Sequence, residues 1–210
     1  MAFSESELDT KAIATGDLLI QAIFESQTIE QICQTYEQVT REMQTRFGEA
    51  PKLLGEDDLK RLFFEVLCFA AFIIMSQEVP KYLVFTRTSG DFEPDSESVR
   101  YFNGKLLDRL AHHLESQGFS RLREVVPTAV TPDIQFGLGE PLAIGRRIYS
   151  YFESDSSWKA AGLFSQYVAH AVDPLQSATL TMIGIRSVRP VVELTRFVLK
   201  AVFKDIAVSD

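Results

Sequence analysis

Along most of the chain polar and apolar positions interleave. The pattern breaks over residues 62–75 (LFFEVLCFAAFIIM), where fourteen positions carry one charge, Glu65. Glu56, Asp57 and Asp58 lead into this stretch and Pro80 follows it, which predicts a helix over about 56–79. A helix that is apolar on nearly all sides is covered by other protein or by lipid. Fourteen residues fall short of the ~18–20 that cross a bilayer, so a buried core helix is expected.

The flanking segments have helical periodicity. Residues 4–26 predict one helix, or two broken near Gly16, opened by Ser4 and Glu7 in capping-box spacing, with Ile13, Leu18, Leu19, Ala22 and Ile23 as a rough apolar face. Over 28–47, Ile29, Ile32, Cys33, Tyr36, Val39, Met43 and Phe47 recur at three- and four-residue steps. Thr28 and Gln31 suggest a second capping box there, and Gly48 and Pro51 a stop. Residues 96–117 form a helix closed by Gly118, with Leu106, Leu107, Leu110, Ala111 and Leu114 facing inward.

Four more helices are expected after residue 140: 140–153, 156–172, one restarting at Asp173 and Pro174, and a last one opened by Pro190. Residues 82–86 (YLVFT) fit either a short strand or a helix start. The acids at 91, 93, 95 and 97 alternate as in a calcium loop, but Phe102 stands where the twelfth-position Glu would be, so an acidic loop ending in a helix cap is expected. The fold class is therefore all-α: one compact bundle of about seven or eight helices around the apolar helix near 56–79. The chain is expected to be a single helical domain over 1–210. If it divides, the parts are 1–118 and 140–210, joined by a connector at 119–139 holding Pro127, Pro132, Gly137 and Gly139.

Composition narrows the function classes. The net charge of −8 is uneven: residues 1–118 hold 11 Lys+Arg against 20 Asp+Glu, whereas 119–210 hold 10 against 9. An acidic chain without clustered cations is not expected to bind nucleic acid or anionic lipid. Two cysteines, Cys33 and Cys68, make no disulfide framework, and the first residues lack the basic and apolar regions of a signal peptide. A cytoplasmic protein without membrane insertion is expected. The 16 Phe, against 6 Tyr and 1 Trp, are core or interface material.

Candidate chemistry is sparse. On a helical wheel Asp58, Arg61, Cys68 and Ser76 lie within about 60° of Glu65, with Phe69 and Phe72 interleaved. Arg61, Glu65, Cys68, Phe69 and Phe72 are thus the candidate ligand-binding set, a carboxylate among apolar neighbours; the simpler reading pairs Glu65 with Arg61 at the boundary. Asp108, His112 and Glu115 share one side of a helix, but without an HExxH-type pattern a solvated face is expected. Gly137 and Gly139 lack the third Gly and the preceding strand of a phosphate loop. Arg146 and Arg147 are adjacent and could hold an anion or an acidic partner, but the default for such a pair is to face solvent. No catalytic residue, metal site or cofactor is assigned.

The final helix has a wide apolar surface, from which Phe197, Val198 and Phe203 are candidates for a subunit interface. The leading expectation is an interaction or regulatory module, forming a homodimer and open to a protein partner. The alternatives are a small-molecule-binding bundle with a Phe-rich pocket near Glu65, and an enzyme whose site leaves no sequence signal.

Overall fold

The computed structural model describes residues 3–25, 27–48, 54–86, 92–116, 142–154, 156–172 and 177–204. The fold is all-α. Among the described residues there are eight α-helical segments: α1 (Glu5–Glu25), α2 (Thr28–Phe47), α3 (Glu56–Ile73), α4 (Val79–Tyr82), α5 (Ser96–Ser116), α6 (Leu142–Phe152), α7 (Ser157–Val172) and α8 (Ser177–Val202). Between α4 and α5, β1 (Val84–Thr86) pairs antiparallel with β2 (Phe92–Pro94), Phe85 opposite Glu93. The segment 82–86, which fits either a strand or a helix start by sequence, is divided: Tyr82 ends α4 and Val84–Thr86 form β1, whose partner comes from part of the expected acidic loop. The connector at 119–139, with Gly137 and Gly139, lies outside the described residues.

The core forms where α3 is covered. Residues 62–73 of α3 are all buried, and the helix packs against α1, α2, α6, α7 and α8. The helical run is longer than the sequence suggests. It continues through a π-helical segment (Ile74–Glu78) into α4, giving 27 residues from Glu56 to Tyr82. Its most apolar 18-residue window has a mean hydropathy of 1.8, so by length and composition alone the run passes the test for a membrane span that the fourteen-residue stretch fails. In the fold 89% of that window is buried by the protein itself.

Pro80 does not end the helix, and the π segment explains why. A proline inside an α-helix has no N–H to donate and its ring collides with a carbonyl one turn back. Here the ladder has slipped by one residue before Pro80, since the Val79 N–H bonds the Ile74 carbonyl. In that register Pro80 would serve the Met75 carbonyl. Asn103 of α5 donates to that oxygen instead, at 3.3 Å. The regular pattern resumes when the Leu83 N–H bonds the Val79 carbonyl.

Pro190 likewise lies inside a helix, where two helices were expected. α8 runs through it without a break. An interior proline costs a helix about 3 kcal/mol. Packing of α8 against α1, α2, α3 and especially α7 offsets that cost. The tightest crossing is at Gly184, where a methyl group would collide with the Ser165 backbone of α7.

Several local signals read as expected. Ser4 and Glu7 form a capping box, with the Ser4 N–H donating to Glu7 Oε2 at 2.8 Å and the Glu7 N–H to Ser4 Oγ at 3.3 Å. Gly48 closes α2 with φ +76°. α1 is one helix through Gly16, which leaves room for the Arg109 stem, while Arg109 Nε donates to Asp17 at 2.7 Å. Two readings change. The N-cap position of α2 is Gln27, whose side chain makes no cap hydrogen bond, and the helix starts at Thr28; and Ile13 is exposed while Leu8, Ala12, Thr15, Leu19 and Ile23 turn inward.

Candidate functional site

Helical geometry sets Glu65 in the middle of α3, facing α6 and α7. Its partner is Arg147 of α6, not Arg61. Glu65 Oε1 lies 3.1 Å from Arg147 Nη2, and both side chains are buried, 7% and 4% exposed. Arg61 sits instead 3.9 Å from Asp58, one turn toward the helix start. Arg146 is exposed, as its position in an arginine pair suggests, but Arg147 is not. On α6, Ile144, Arg147, Ile148 and Tyr151 occupy one face at helical spacing, and all four are buried.

The surroundings are aromatic. The Arg147 guanidinium lies 3.6 Å above the Tyr167 ring of α7, a cation–π contact. Tyr151 packs edge-on against Phe69 at 5.3 Å and against Tyr167 at 5.8 Å, and Phe69 stacks on Phe164 at 4.2 Å. Phe72 adds a further face to Tyr151 at 5.5 Å. Of the sequence-derived set, the fold thus brings Glu65, Cys68, Phe69 and Phe72 together around Arg147 and Tyr151, with Arg61 at the margin.

Low polarity governs the ionisation of these groups. Burial pushes the Glu65 carboxyl up to about 7, and the Arg147 charge offsets this only in part. Burial and the neighbouring Glu65 charge drive the Cys68 thiol and the Tyr151 phenol well above their ordinary values. His170, half-buried on α7, is lowered first by burial and then by Arg147 and Arg61.

Hydrogen bonding here is incomplete. Arg147 Nη2 meets Glu65 Oε1 as an ion pair at 3.1 Å and makes no hydrogen bond of regular geometry. Arg147 Nε, Glu65 Oε2, Tyr151 Oη and Arg61 Nε are also buried without a hydrogen-bond partner. Buried polar atoms are nearly always satisfied, and each exception costs about 1–3 kcal/mol. Five in and beside one cluster single it out from the surrounding core.

The other candidates separate. Asp108, His112 and Glu115 are all exposed, and among the described residues no group of three His, Cys, Asp or Glu is placed to hold a metal ion. Of the three interface candidates Phe197 is exposed, whereas Val198 and Phe203 turn into the chain's own core, Phe203 against Phe3, Tyr82 and Phe102. Sequence reasoning set Arg147 in a solvent-facing pair by default and Tyr151 on an apolar helix face, and linked neither to Glu65. The available signal was position: Arg147 falls on the stripe marked by Ile144, Ile148 and Tyr151.

The chain matches no protein-family model, no curated protein and no solved structure at a significant level.

Proposed function

We propose that the protein is a small-molecule-binding helical bundle whose polar anchor is formed by Glu65, Arg147 and Tyr151. The observation that carries this reading is the convergence of buried atoms without a hydrogen bond: Glu65 Oε2, Arg147 Nε and Tyr151 Oη, together with Arg147 Nη2, whose contact is the ion pair to Glu65 Oε1. They stand within a wall of Phe69, Phe72, Phe164 and Tyr167. Apolar walls with a few convergent polar groups are the general form of a ligand site. The test is native mass spectrometry of the protein as purified. The expected result is an extra non-covalent mass per subunit in the wild type that is lost in Arg147→Met. A bare wild-type mass, with no thermal shift from any compound of a broad metabolite panel, contradicts the reading.

A second reading, an interaction module that dimerises, is favoured by large apolar side chains left at the surface. Trp158 is 82% exposed, Phe197 67% and Phe24 63%. The same spectrum reports the subunit count. A strict monomer across the micromolar range counts against the homodimer.

A further inference from the structure

We infer that the ligand is a monocarboxylate with an aryl or alkyl body, its carboxylate seated on the Nε and Nη2 edge of Arg147 with the Tyr151 hydroxyl as a third donor. This rests on the ligand-binding reading above and deepens it. The unmet atoms themselves argue for the class. Arg147 Nε, Arg147 Nη2, Tyr151 Oη and Arg61 Nε can all donate, whereas Glu65 Oε2 accepts. A donor excess calls for an acceptor-rich guest. Nε and Nη2 are the two nitrogens of one guanidinium edge, spaced to meet both oxygens of a carboxylate. Lys would offer a point charge without this fork.

Glu65 is the obvious objection, because its own oxygen touches that edge at 3.1 Å. Two carboxylates sharing one site cannot both ionise cheaply, so one holds a proton. The groups acting on Glu65 leave it the candidate. Arg147 and Tyr151 face it from α6 and Cys68 from its own helix, with Tyr167 and His170 of α7 beyond Arg147. Of these, only Arg147 carries a fixed positive charge against it, and burial already favours its neutral form. On binding, Glu65 takes up a proton and becomes a donor to the guest, leaving Arg147 and the guest carboxylate as the ion pair. The apolar body then lies against the stacked rings of Phe69 and Phe164 and against Phe72.

The experiment is isothermal titration calorimetry of the full chain with phenylacetate and octanoate, each beside its neutral amide, at pH 6 and pH 8. The carboxylates are expected to bind at least about tenfold more tightly than the amides. Their affinity is expected to fall about tenfold from pH 6 to pH 8, with proton uptake visible as a buffer-dependent heat. Tyr151→Phe, which keeps the ring, is expected to weaken the carboxylates and leave the amides unchanged. Glu65→Gln, which keeps a donor at that position, is expected to remove the pH dependence while retaining binding. Equal affinity for acids and amides overturns the carboxylate class but leaves a ligand-binding bundle. Failure of both acids to bind at millimolar concentration also overturns the class. The wider reading falls as well only if the purified wild type carries no extra mass and no panel compound shifts its melting.

Discussion

Two carboxylates leave the same helical run and meet different fates. Glu65 and Glu78 are buried to the same degree, 6% and 5% exposed. Glu78, in the π segment, accepts from Lys81 at 2.8 Å and from Arg196 at 3.5 Å, and both cations reach solvent, with side chains 50% and 57% exposed. Glu65 has one ionic partner, Arg147, which is itself buried, and one oxygen without any hydrogen bond. Depth of burial alone therefore does not mark a site. What separates the two is whether the countercharge stays in water. A cation that keeps its hydration forms an ordinary boundary pair, whereas a pair that is desolvated on both sides forfeits hydration twice and recovers it only with good geometry. The Glu65 pair leaves buried atoms without hydrogen bonds, and the ligand-binding proposal rests on that difference.

Removing Arg147 should break the comparison most severely. Arg147→Met leaves a buried carboxylate alone and is expected to cost about 3–5 kcal/mol at pH 8, measured by urea unfolding. The loss should shrink at pH 5.5, where Glu65 is neutral. The wild type itself should carry a pH signature. With the folded carboxyl raised to about 7 from an ordinary value of 4.5, the folded state holds the proton more tightly than the unfolded chain. That contribution is fully present below about 4.5, declines as pH rises, and is gone above about 7, an effect on the order of 3 kcal/mol. Subtracting the profile of Glu65→Gln from that of the wild type isolates it; the same subtraction with Glu78→Gln serves as the contrast.

Replacing both partners should reverse the sign. Glu65→Leu combined with Arg147→Met removes two desolvated charges together and is expected to be neutral or up to about 4 kcal/mol more stable than wild type. Thermal melting would show it, and a double variant weaker than Arg147→Met alone would sink the account of the pair as a stability cost. The smallest effect belongs to the other carboxylate. Glu78→Gln should cost no more than about 1 kcal/mol, because both of its cations are solvated, and the cost should shrink in 0.5 M salt.

What the sequence revealed was local. The apolar run of α3, the Ser4 and Glu7 cap, Gly48 at the end of α2 and the inward face of Leu106, Leu110 and Leu114 all follow from spacing within one turn or two. The two prolines misled because each was judged by its own helix. A π slip and Asn103 of α5 accommodate Pro80, and the packing of α8 accommodates Pro190. The site was half legible. Glu65 stood out as the single charge in an apolar run, but its partner arrives from α6, and no rule based on neighbouring turns links Glu65 to Arg147. The arginine betrayed itself only by sharing a stripe with Ile144, Ile148 and Tyr151.

The most direct test of the account is a carbon-13 titration of the Glu65 side-chain carboxyl by NMR from pH 4 to pH 9, assigned with Glu65→Gln. The account predicts a midpoint near 7 in the free protein. A midpoint at the ordinary carboxylate value of about 4–5 would mean that Arg147 and solvent satisfy Glu65 fully, and the prepared site would not exist.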